Sequence, residues 1–102
     1  MTVVAKMRVV LESSCFDIKE KIVVLGVLAN GEQSIEDLHN YTSISKAMLE
    51  RLCNKLVESG YFVIERKVFS RYSRKMYNLT NKLFEQDIVN VGKNPIDLLI
   101  YQ

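Results

Sequence analysis

Five cations crowd into residues 66–75: Arg66, Lys67, Arg71, Arg74 and Lys75, with no carboxylate among them. Such density suits a phosphate polyanion, because each cation that neutralises a phosphate releases condensed counterions. Phe69 and Tyr72 are interleaved with them, and exposed aromatics beside arginine suit a groove or a backbone contact. A second set lies just upstream: Ser43, Ser45, Lys46, Ala47, Glu50, Arg51, Asn54 and Lys55. Arg51 has the fork that grips guanine O6 and N7, and Ala47 can touch a thymine methyl. Ser43 and Ser45 offer hydroxyl or backbone N–H groups to phosphate. Glu50 is the discordant member. Near DNA it costs affinity unless it accepts from a cytosine amine or pairs with Lys46 or Lys55. The plainer reading of the basic stretch is a solvated hairpin that aids solubility.

These residues need elements to carry them. Leu49, Leu52, Cys53, Leu56 and Val57 fall at spacings of 0, 3, 4, 7 and 8, the stripe of a helix facing a core. They predict a helix over 46–59, capped by Ser45 and stopped by Gly60. Ser34 with Asp37 resembles a capping box for a short helix over 35–40, with a turn at 41–44. Upstream, Asp17 caps a helix over 18–29 whose Ile18, Ile22, Leu25 and Ala29 share one face. Gly31 suits the position after its end. Residues 3–13 read as a further helix. Downstream, 61–65 and 75–79 read as paired strands. The span between them is long and lacks glycine, which predicts an extended, mobile tip. Thr80 caps a last helix to about residue 91, followed by an apolar end.

Bulk properties bound the reading. The chain has 102 residues, 48% hydrophobic and 25% charged, which fits one domain spanning 1–102. Net charge is only +2, but residues 61–82 hold six Lys/Arg against one Glu. The electrostatic footprint is therefore local. Cys15 and Cys53 make neither a disulfide framework nor metal spacing, so a reduced, cytoplasmic setting is expected. No secretory pattern and no membrane-length apolar run is present. Catalysis has little support. His39 stands alone, His39, Glu36 and Asp37 are too local for a metal site, and no phosphate loop or nucleophile motif occurs. No enzyme activity, cofactor or metal is expected.

The order helix, short helix, turn, long helix, strand, basic loop, strand, helix resembles the winged helix-turn-helix regulators of the IclR and MarR types. The resemblance is carried by Ser34-Ile35-Glu36-Asp37-Leu38, by residues 44–52 and 56–62, and by Tyr77-Asn78-Leu79-Thr80. It covers about residues 18–90. The implied fold class is mostly α with a small antiparallel β-hairpin (α+β). The resemblance implies that 46–59 is the recognition helix and 67–74 the wing tip; from the cations and aromatics of that tip, Arg71 or Arg74 is expected near a minor groove.

One such helix covers few base pairs, so a specific site implies two half-sites and a homodimer. The apolar ends, Val3 to Leu11 on one side and Ile88 to Tyr101 on the other, are candidate dimer surfaces. The leading expectation is a dimeric repressor on double-stranded DNA. A plasmid or phage centromere-binding protein that recruits a partner protein has the same fold. A protein-interaction module without DNA binding is the rival of another class.

Overall fold

The computed structural model describes residues 1–69 and 71–85. Four helices precede a hairpin: α1 Val3–Glu12, α2 Ile18–Asn30, α3 Ile35–Thr42, α4 Lys46–Glu58, β1 Phe62–Phe69 and β2 Tyr72–Leu79. Residues 82–85 are helical beyond β2. The remainder of the expected last helix and the apolar end lie outside the described residues.

Local chemistry sets the helix starts. The Asp17 carboxylate accepts from the Glu20 N–H (2.8 Å) while Glu20 accepts from the Asp17 N–H (3.1 Å). Ser34 and Asp37 make the same reciprocal box at α3, at 3.1 and 3.0 Å. Ser45 accepts from the Met48 N–H and caps α4. At the other end of α4, Ser59 is the cap and Gly60 follows at φ 82°. The Gly60 N–H reaches the Val57 carbonyl and the Tyr61 N–H reaches Leu56, closing the helix as a Schellman motif. Gly31 also holds a positive φ, 79°.

The boxes make a pH prediction. Backbone N–H groups donated to Asp17 and Asp37 hold both carboxyls below their ordinary 3.8. A depressed folded value gives stability that is present above the ordinary value and lost as pH falls through the folded one. Urea unfolding should therefore show stability flat above about pH 5 and falling below about pH 4. Ser34→Ala should cost about 1 kcal/mol at neutral pH. Equal stability of the variant and the parent would remove the cap from the account.

The core unites all six elements. Leu49, Leu52, Cys53 and Leu56 of α4 are buried, as their spacing predicts, against Val10, Val23, Val24, Val27, Leu38, Phe62 and Tyr77. Burial pushes the Cys53 thiol up to about 12, so it acts as a small apolar side chain. Among the described residues no helix is long and apolar enough to cross a membrane.

Two features go beyond or against the sequence reading. The face of α2 turned inward is Glu20, Val23, Val24 and Val27, and of the Ile18, Ile22, Leu25 and Ala29 face only Leu25 packs on the core, Ile18 being 78% and Ile22 40% exposed. Both faces of α2 carry apolar side chains, so periodicity alone fits two rotations. The Asp17–Glu20 box turns Glu20 inward and selects the second. The long mobile tip is also absent. The strands continue from Glu65 to Phe69 and from Tyr72 to Lys75, with Phe69 opposite Tyr72. Ladder pairing with a partner overrides the weak strand composition of this basic span.

A backbone clamp holds the hairpin. Gln33, just before α3, exchanges both hydrogen bonds with Tyr77 of β2, at 3.0 and 2.8 Å. Lys82 reaches the Ser59 carbonyl at the end of α4 and lies over the Tyr61 ring.

Candidate nucleic-acid interface

The connection from α3 to α4 is short and tightly bonded. Thr42 Oγ1 donates to the Leu38 carbonyl (2.6 Å) and accepts from the Ile44 N–H (3.2 Å). Ser43 takes φ 63°, the left-handed region, which is uncommon for a residue with a side chain. His39 Nδ1 lies 2.7 Å from the Ile44 carbonyl. A carbonyl only accepts, so Nδ1 carries the proton and donates. The single histidine thus fixes the turn that launches α4. His39→Leu should cost about 1 kcal/mol and speed hydrogen exchange at the amides of residues 44–49. Unchanged exchange there would show that the turn holds without it.

The outer face of α4 exposes Lys46, Ala47, Glu50, Arg51, Asn54 and Lys55, as the sequence predicts, and Ser43 and Ser45 are exposed at its start. The first-turn N–H groups of a helix point outward with the positive end of its dipole. Lys55 is committed elsewhere: its ammonium sits 3.5 Å from the buried Glu20 carboxylate of α2. Of the two ways Glu50 could be accommodated, pairing with Lys46 or Lys55 is not seen among the described residues. Among the described residues neither Glu50 nor Arg51 has an ion pair. Arg51 lines an open groove of about 640 Å³ with Asp17, Lys19, Met48, Asn54 and Glu58 between α4 and the start of α2.

The hairpin sorts its cations by face. Side chains alternate along a strand, and directly opposed residues share a face. Lys67 opposes Arg74, and Arg66 opposes Lys75. The first pair turns toward the start of α3, where Lys67 binds Glu32 and Arg74 lies 3.6 Å from Glu36. The Glu32 carboxylate holds the Lys67 ammonium above its ordinary value. Glu65 lies on this same face, and its charge acts in the same direction. The second pair turns the other way. Lys75 lies 5.2 Å from the Tyr77 ring centroid, and its charge is felt at Cys53 of α4.

Tyr77 uses its N–H and carbonyl on Gln33. Ile64–Tyr77 is therefore a non-hydrogen-bonded pair, and by alternation so is Arg66–Lys75, with facing Cα atoms about 4.5 Å apart. Two like charges at that spacing destabilise a hairpin by about 0.2–1 kcal/mol. Among the described residues no carboxylate compensates them. Arg71 is exposed at the turn and Tyr72 is 63% exposed beside it. The side chain of Phe69 lies outside the described residues.

Sequence pattern alone does not reveal the ion pairs of Glu20, Glu32 and Glu36 or the Gln33 bridge, because those partners are far away in the chain. The capping boxes were the available signal: they fix where α2 and α3 begin, and hence where Glu20 and Glu36 point. Among the described residues no group of His, Cys, Asp and Glu could hold a metal ion.

No protein-family model matches the chain, and no curated protein matches it. Solved structures do. Stf76 from the Sulfolobus islandicus plasmid-virus pSSVx aligns at TM-score 0.57 and 17% identity, over 74% of this chain and 99% of that one. Bordetella bronchiseptica BpsR, whose DNA binding is regulated by 6-hydroxynicotinic acid, aligns at 0.61 and 17%, over 97% of this chain and 79% of that one. A MarR family protein from Bacillus stearothermophilus aligns at 0.55 and 14%, over 97% and 76%. At these identities the likeness is one of architecture, and the architecture is the winged helix-turn-helix: α3 and α4 are the helix pair and β1–β2 is the wing.

Proposed function

We propose that this chain binds double-stranded DNA, with the outer face of α4 in a major groove and the Arg66–Lys75 face of the wing on the phosphates. It acts there as a transcriptional regulator of the MarR type, as a repressor. The observation that carries this reading is the Arg66–Lys75 pair of the wing, which no carboxylate compensates among the described residues. A hairpin that opposes two cations without a counter-charge is suited to a polyanion. In this reading the Arg71 tip enters a minor groove, whereas Arg74 is turned toward Glu36.

The functional unit is a homodimer. Exposed Val3, Val4 and Leu11 on α1 support this, together with Ile18 and Ile22 on α2, since apolar side chains clustered at a surface mark a contact. A dimer matches an operator with two half-sites about one helical turn apart. The likeness to Stf76, from a plasmid-virus, favours one second reading, a segregation or replication-control protein that recruits a partner to arrayed sites. Footprinting of the bound DNA separates them: one palindrome fits repression, an array of direct repeats fits segregation.

The deciding experiment is a titration of labelled duplex at two salt concentrations with the oligomeric state measured in parallel. The proposal expects binding that weakens steeply with salt, by a dimer. Salt-independent association, or none, would leave a protein-interaction module in its place.

A further inference from the structure

The wing carries two back-to-back cation pairs, and only one is compensated within the chain. Lys67 binds Glu32, and Arg74 lies 3.6 Å from Glu36. Both carboxylates come from the segment that starts α3, and that segment is itself fixed by the Ser34–Asp37 box and the Gln33–Tyr77 bridge. Glu32 is partly buried, its side chain 26% exposed. The Glu32 acceptor is therefore held against the body of the domain, while Glu36 stands exposed on a fixed helix start.

We propose that Glu32 and Glu36 are positioning residues that latch one face of the wing to the start of α3 and withhold Lys67 and Arg74 from phosphate. The inference rests on the DNA-binding reading above and deepens it. The latch keeps the wing's sequence-independent grip below what five cations would give. Discrimination between sites is the difference between specific and non-specific affinity, so holding down the second raises the ratio without touching a base.

The test uses full-length Glu32→Gln/Glu36→Gln. Glutamine keeps the shape and removes the charge. Released Lys67 and Arg74 each gain a phosphate, so affinity for an unrelated duplex should rise on the order of 10-fold, with the salt slope steeper by up to about two units. Glu12→Gln/Glu85→Gln removes equal charge outside the wing and should change affinity by less than about twofold, because screening at physiological salt acts beyond ~8 Å. Lys67→Met/Arg74→Met should lose little in the parent and should abolish the gain in the Glu→Gln background. The single Glu36→Gln, at a more exposed carboxylate, gives half of the slope change if the double variant folds poorly.

Equal responses from the wing and control variants overturn the latch and leave DNA binding intact. So does a loss from Lys67→Met/Arg74→Met in the parent as large as that from Arg66 and Lys75. A parent protein with no salt-dependent binding overturns the latch and the reading together.

Discussion

Arg66→Met/Lys75→Met should lower affinity for every duplex, specific or not, by on the order of 10-fold at about 0.15 M salt, and flatten the salt slope by about two units. Methionine retains most of the apolar stem that lies along the strands, so the change is one of charge. The same substitution should leave the thermal midpoint unchanged or raise it. The reason is the geometry of the pair: two facing cations, with no carboxylate among the described residues, repel in the free protein, and removing them relieves about 0.2–1 kcal/mol. Loss of binding with preserved or increased stability is the mark of residues placed for a ligand rather than for the fold. Fluorescence anisotropy at two salt concentrations reads the first part, and thermal unfolding reads the second. A destabilised variant, or one whose loss is confined to a single sequence, would show that the pair serves another end.

The contrast with Lys67 and Arg74 shows what sequence could and could not supply. All five wing cations look alike in the chain, since a run of Lys and Arg has no internal sign of direction. The register sorts them into faces, and register depends on how far the strands run. The absence of glycine suggested a loop where the ladder instead continues to Phe69 and Tyr72. The partners Glu32 and Glu36 belong to another element, more than 30 residues away, so no local pattern links them. The α4 stripe was legible because its burial is one-sided: Leu49, Leu52, Cys53 and Leu56 are apolar and Lys46, Glu50, Arg51 and Asn54 are not. Each buried leucine there contributes about 1.5–3 kcal/mol, which outweighs any surface pair. Helix α2 has apolar residues all round, so its rotation was ambiguous until the buried Glu20 was seen to bond both Asp17 and Lys55. The caps at Asp17, Ser34 and Ser45 were legible because capping is a three-residue interaction with a fixed spacing.

Arg51→Ala should cost about 1–3 kcal/mol on the specific site, roughly 5- to 150-fold, while changing non-specific affinity by less than Arg66→Met/Lys75→Met does. Arg51 lies in the second turn of α4, on its solvent face, and holds no ion pair among the described residues. Its neighbour one turn on, Lys55, is drawn back to Glu20, so the two cations are not equivalent: one is tethered and one is able to reach out. An unpaired guanidinium on the helix proposed to enter the groove supplies two parallel donors, the match for guanine O6 and N7. Lysine offers a point charge without that fork. Arg51→Lys should therefore restore non-specific binding and leave most of the specific loss in place. Selection of preferred duplexes from a random pool by the Arg51→Ala protein should show one position per half-site relaxed, with the rest of the motif retained. A motif unchanged at every position, or complete rescue by lysine, would assign Arg51 to the phosphates and move base reading to Lys46, Ala47 and Asn54 on the same face.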